Sequence, residues 1–215
     1  MKKLAIFDLD GTLINSIADL ATATNQALRQ LHHPQHPLDK YPHFVGNGIN
    51  KLFERALPEG QKTEENIQQV RELFIPYYND HCMDLTRPYE GIPEMLRALS
   101  SRGLQLAVAT NKYQEATEII VPRFFPHTQW LAVTGTTTGG PRKPDPANIN
   151  KIIKQAGVSN DEVLYIGDSD VDMQTAHNAR VDGIGCAWGF RGRKELEAYH
   201  PLAVIDTPDE LLKYI

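Results

Sequence analysis

The chain of 215 residues has two cysteines, Cys82 and Cys186, and their spacing matches no zinc or iron–sulfur motif. They read as reduced thiols, and a disulfide framework is excluded. A basic excess is also missing: 22 Lys and Arg face 27 Asp and Glu, for a formal net charge of -5. Without a basic face the chain is not expected to bind nucleic acid. No apolar run approaches a membrane span, so no membrane partner is expected. Two lysines and only Leu4-Ala5-Ile6-Phe7 precede Asp8, too short for a signal-peptide core. A cytoplasmic protein is the expectation. Gly135-Thr136-Thr137-Thr138-Gly139-Gly140 is a loop rather than a P-loop, because Pro141-Arg142 stands where Lys-Ser/Thr belongs.

What is present is an alternation. Leu4-Ala5-Ile6-Phe7 reads as a buried strand, and further strand candidates lie at 104–109, 131–134, 162–166, 183–187 and 202–205. Helical patterns at about 93–102, 113–122, 146–156, 171–180 and 208–214 separate them. Strands alternating with helices predict an α/β fold, a Rossmann-like parallel sheet with helices on both faces. From about Ser16 to Met83 no strand is convincing. Ile17, Leu20, Ala21, Ala27, Leu28 and Leu31 recur at helical spacing, as do Ile49, Leu52, Phe53, Ala56 and Leu57, then Ile67, Val70, Leu73 and Phe74. The expectation is a core of residues 1–15 and 84–215 with an α-helical cap domain, 16–83, inserted after the first strand. Such an insert would cover a site at the sheet edge and choose its substrate.

Polar residues stand where the strands end, the usual place for chemistry in open α/β sheets. Asp8 and Asp10 follow the first strand and can point the same way, since strand side chains alternate. Such a pair holds a hard cation, attacks an electrophile or shuttles protons. Thr110 and Asn111 end the strand at 104–109, placed to donate to an oxyanion or to cap the next helix. Lys143, stiffened by Pro144 and Pro146, is either a point charge toward phosphate or a solvated loop lysine. Gly167-Asp168-Ser169-Asp170-Val171-Asp172 resembles a calcium loop, but Met173 occupies the position where an EF-hand needs Gly. A Mg²⁺ ligand set completed by Asp8 fits better, with an N-cap role as the alternative for Asp170. His32, His33, His36 and His43 lack helical i,i+4 spacing and sit among prolines, so they read as a solvated loop. Arg191 and Arg193 read as surface loop residues.

Asp8-Leu9-Asp10-Gly11-Thr12, Thr110-Asn111, Lys143-Pro144 and Gly167-Asp168-Ser169-Asp170-Val171-Asp172 together resemble the haloacid dehalogenase-like hydrolases. The resemblance covers essentially the whole chain, and the helical insert is similar to their helical-cap subclass. Thr110-Asn111-Lys112, Arg142-Lys143-Pro144-Asp145-Pro146 and Val45-Gly46-Asn47-Gly48 make it similar to the phosphoglycolate phosphatases within that family. The resemblance implies a Mg²⁺-dependent phosphatase acting on a small phosphorylated metabolite through an aspartyl-phosphate, as a monomer or homodimer. It implies Asp8 as nucleophile, Asp10 as general acid and base, and Lys143 as the group that neutralises Asp8 and phosphate. Thr110, Asn111 and Lys143 would hold the phosphoryl group. Asp8, Asp10 through its backbone carbonyl, and Asp168 would bind the metal, with Asp172 orienting Lys143 or the metal shell. Gly46, Asn47 and Gly48 would meet the substrate, or simply begin a helix. Two alternatives remain: a β-phosphoglucomutase-like mutase with the same aspartates, and a receiver-like phospho-aspartate switch.

Overall fold

The computed structural model describes residues Met1–Ile215. Six parallel strands form one sheet in the order β5-β4-β1-β6-β7-β8. They are β1 (Leu4–Phe7), β4 (Gln105–Tyr113), β5 (Trp130–Thr136), β6 (Val163–Gly167), β7 (Asp182–Cys186) and β8 (Ala203–Ile205). A second, two-stranded sheet pairs β2 (Ile14–Asn15) with β3 (Arg87–Pro88) antiparallel. The chain therefore leaves β1 toward one side of the sheet and returns to the other, which puts a topological switch point at the carboxyl end of β1. A crevice opens at such a point.

Alternation in β1 explains why all four of its residues are apolar and buried. Ala5 and Phe7 face one core cluster, Leu4 and Ile6 the other. The smaller cluster packs α7 (Ala147–Ala156) and α8 (Asp170–Ala179) through Ile149, Ile152, Ile153, Ala176 and Ala179. The larger packs α5 (Ile92–Ser101) and α6 (Gln114–Phe124) through Met95, Leu96, Leu99, Ile120 and Val121. Gly157 ends α7 in the left-handed conformation, φ 69°, as expected of glycine past a helix. The helical pattern at 208–214 is instead a 3-10 helix, Pro208–Lys213. A short α9 (Arg193–Glu197) was not signalled by periodicity, being a single turn and a half.

Between β2 and β3 lie α1 (Ile17–Gln30), α2 (Tyr41–Phe44), α3 (Ile49–Ala56) and α4 (Glu64–His81). Their apolar faces join the larger core cluster rather than forming one apart. Phe53 meets Phe74 edge-on at 5.0 Å, Phe74 stacks on Tyr78 at 5.0 Å, and Tyr78 meets Tyr113 of β4 at 6.3 Å. That aromatic run ties the helices to the sheet. Asp19 of α1 is buried and accepts from the Leu85 and Thr86 backbone N–H groups and the Thr86 hydroxyl, at 2.6–3.1 Å. It fastens the outgoing chain to the returning one. Cys82 and Cys186 are free and buried. No helix is long and apolar enough to cross a membrane.

Candidate active site

Register builds the site. Phe7 pairs with Val108 on one side and Ile166 on the other, so the next residues of three strands come level at one edge. Asp8 and Asp168 directly follow β1 and β6. On β4 the pairing with β5 slips: Ala109 faces Thr134 while Tyr113 faces Thr136. Two extra residues of β4 are thus accommodated, and such a bulge re-aims side chains. Thr110, Asn111 and Lys112 are all buried there.

Lys143 Nζ lies 2.9 Å from Asp8 Oδ2 and 2.6 Å from Asp172 Oδ1. Burial pulls this lysine down, but Asp172 and Asp8 outweigh it and hold it above the ordinary lysine range. Asp172 also accepts from Tyr165, from the Ser169 hydroxyl and from the backbone of Asp168 and Ser169, closing a capping box at the start of α8. Its oxygens are therefore spent on orienting Lys143 and the loop after β6. Burial pushes Asp8 up to about 6, with Lys143 opposing and Asp172 adding to the rise. Asp168 is driven well above the carboxylate range, by burial first and then by Asp172 and Asp8.

The carboxylate oxygens of Asp8, Asp168 and Asp172 come within 4.8 Å of one another. Asp8 and Asp168, raised by burial first and with only oxygen donors to offer, fit a hard divalent cation, while Asp172 stays on Lys143 and the loop. Gly11 and Gly189 press on Asp168 so closely that a Cβ at either would collide with its side chain. The Phe190 N–H donates to Asp168 Oδ2 at 2.8 Å and the Thr12 hydroxyl to Oδ1 at 3.3 Å. The loop carrying Gly189 and Phe190 thus sets the Asp168 carboxylate, a role that the sequence did not signal beyond its glycines.

A cavity of about 40 Å³, space for about three waters or a phosphoryl group, sits over Asp8. Asp10, Thr110, Asn111 and Lys112 line it from the sheet, and Val45, Gly46, Gly48, Ile49 and Leu52 from the helical segment. A polar cleft of about 440 Å³ adjoins it across Ile49 and Tyr113, with Arg71, Arg142 and Thr136 to Thr138 on its walls.

Several residues do other than expected. Asn111 gives its side-chain N–H groups to the Gly46 and Lys143 carbonyls and accepts from the Lys143 N–H at 2.9 Å. Its side chain therefore positions Lys143 and the 46–48 loop from the cavity wall. Gly46 and Gly48 line the cavity, with φ 114° and 84°, and Gly48 also precedes α3. Asn47 does not line the cavity; its carbonyl oxygen accepts from Arg55 at 2.7 Å. Arg191 is no surface arginine: its side chain is 9% exposed and donates to the Val45 carbonyl at 3.0 Å, joining the β7–α9 loop to the cavity wall. Arg193 does stay at the surface, paired with Glu197 and Asp206. The histidines do not converge: His36 bonds the Ala56 carbonyl and His43 faces Arg191. Lys112, which sequence reasoning gave no role, is buried with Nζ 3.1 Å from both Asp10 oxygens.

Comparison with known proteins places this geometry. The family model for haloacid dehalogenase-like hydrolases matches residues 5–186. The chain belongs to that family. It is 34% identical over 221 residues to a phosphoglycolate phosphatase of Pseudomonas putida, covering 99% of this chain and 79% of that protein. A solved structure from Lactobacillus delbrueckii subsp. bulgaricus has a TM-score of 0.92 at 34% identity, covering 100% of this chain and 99% of that one. A predicted phosphoglycolate phosphatase from Haemophilus somnus has a TM-score of 0.91 at 30% identity, covering 99% and 97%.

Proposed function

We propose that this chain is a Mg²⁺-dependent phosphatase that hydrolyses a small phosphate monoester of the phosphoglycolate type through an aspartyl-phosphate on Asp8. The observation that carries the reading is the placement of Asp8: at the floor of a cavity sized for a phosphoryl group, between Lys143 at 2.9 Å and the Asp168 carboxylate. A carboxylate attacking a phosphate dianion faces charge repulsion, and phosphoryl transfer is catalysed mainly by positioning and neutralisation. Lys143 has two of its three N–H bonds on Asp172 and Asp8, which leaves one for the phosphoryl oxygens. Thr110 lines the same cavity and supplies a hydroxyl. Asp8 and Asp168, with the Asp10 carbonyl, would hold Mg²⁺, which supplies positive charge to the phosphate oxygens.

In the first step an Asp8 oxygen bonds to phosphorus, the bond to the ester oxygen breaks, and Asp10 gives that oxygen its proton. In the second a water gives its proton to Asp10 and bonds to phosphorus, the Asp8–phosphorus bond breaks, and inorganic phosphate leaves with Asp8 restored. The helices between β2 and β3 act as the cap, excluding competing water through Val45, Gly46 and Leu52. The fitting partner is a small phosphorylated metabolite. The test is a panel of phosphate monoesters, 2-phosphoglycolate among them, assayed for phosphate release with Mg²⁺ beside an Asp8→Asn control. Release by the wild type and none by the control is expected; no release from any ester by folded protein refutes the reading.

A further inference from the structure

Asp10 is held from two sides. The Ser16 hydroxyl donates to its Oδ1 at 2.6 Å, and Lys112 Nζ lies 3.1 Å from both oxygens. Ser16 stands at the N-cap of α1 yet makes no side-chain cap bond, so its hydroxyl is committed to Asp10 instead of to the helix it precedes. Lys112 is equally committed. Its third N–H goes to the Tyr78 hydroxyl at 2.7 Å, and the ammonium also lies 4.7 Å from the centre of the Tyr78 ring. An ammonium has three donors, so Lys112 has none left for phosphate. Lys143, by contrast, keeps one. The two lysines at the cavity therefore do different work.

Tyr78 is the distinctive partner, because it comes from α4 of the helical segment and not from the sheet. It is fully buried, stacked on Phe74 and edge-on to Tyr113. Burial, and then the Asp10 charge, raises its phenol well above the ordinary range, which keeps it a neutral hydroxyl that accepts from Lys112.

We propose that Lys112 is a positioning residue for Asp10, and that Tyr78 makes its hold depend on α4 being docked against β4. Asp10 is then aimed at the leaving oxygen only when the helical segment is seated, so proton transfer is tied to closure. This rests on the phosphatase reading, in which Asp10 protonates the leaving group.

The test uses leaving-group dependence. The full-length wild type, Lys112→Met and Tyr78→Phe are assayed with Mg²⁺ on 2-phosphoglycolate and on 4-nitrophenyl phosphate. The first ester releases an alkoxide that needs a proton. The second releases a phenolate that leaves without one. A lost general acid costs about 10²–10⁴ in rate. Lys112→Met is therefore expected to lose about a hundredfold in kcat/KM, which reports the first transfer and not the shared hydrolysis of the aspartyl-phosphate, on the alkyl ester and at least about tenfold less on the aryl ester. Tyr78→Phe removes one hydroxyl and is expected to show the same inequality, with a smaller loss. Equal losses on the two esters in folded protein overturn the proposal, as does no loss on the alkyl ester. Where Lys112→Met does not fold, Tyr78→Phe decides by the same comparison. If the wild type releases phosphate from neither ester, the phosphatase reading falls and the proposal with it; if Asp8→Asn alone abolishes both, the reading stands and the inequality judges Lys112.

Discussion

Replacing Asp8 by Asn should change how stability depends on pH. Asp8 is buried, and the loss of water around its charge outweighs the help from Lys143, so its carboxyl is raised from 3.8 to about 6. Because the folded value lies above the unfolded one, the native protein binds an extra proton between them. The stabilisation linked to that proton is present in full below the unfolded value and is lost as pH rises through the folded value near 6. Each pH unit across that interval costs about 1.4 kcal/mol, giving about 3 kcal/mol in all. Asp8→Asn has no such proton to lose. In urea unfolding with a chelator present, the variant should therefore gain about 3 kcal/mol relative to wild type between pH 4 and pH 7. Adding Mg²⁺ at pH 7 should narrow the gap by stabilising the wild type. A difference between the two proteins that does not change with pH would refute the claim that Asp8 is held as a crowded, desolvated charge.

Three further outcomes follow from named contacts. Lys143→Met leaves Asp8 and Asp172 without their shared cation; phosphate release should fall by about 10²–10³ and urea stability by about 3 kcal/mol, and wild-type turnover would contradict the neutralising role. Asp19→Ala orphans two backbone N–H groups and the Thr86 hydroxyl, so it should cost about 3 kcal/mol in urea unfolding; a loss under about 0.5 kcal/mol would mean these bonds do not fasten the segment. Gly189→Ala drives a Cβ into Asp168, so the Mg²⁺ concentration for half-maximal activity should rise at least about tenfold; an unchanged value would remove the loop from the metal site.

The sheet and its catalytic edge were legible because their signals are local. A four-residue apolar run followed by Asp8, or Val163–Gly167 followed by Asp168, carries strand and site in adjacent letters. Asp8, Thr110 and Asp168 each come at or just past the end of a short apolar run, and the pairing of β1 with β4 and β6 brings those runs side by side. The residues that were missed act across long separations. Lys112 reaches Asp10 over 102 positions and Tyr78 over 34. A lysine read as part of a Thr-Asn-Lys string carries no sign of either partner. Arg191 looked like a loop arginine because its acceptor, Val45, is 146 residues away. The bonds of the Asn111 amide to the Lys143 backbone, 32 residues on, were likewise not legible in its place after a strand. The strands β2 and β3 have two residues each, too few to show a period of two.

The account turns on a covalent bond between Asp8 and phosphorus. Borohydride added during turnover reduces an acyl phosphate to the alcohol, so Asp8 is predicted to become homoserine in the peptide Leu4–Leu13, found by mass spectrometry only when substrate and Mg²⁺ are both present. Steady phosphate release with Asp8 unreduced would contradict the account, since water would then attack the ester directly.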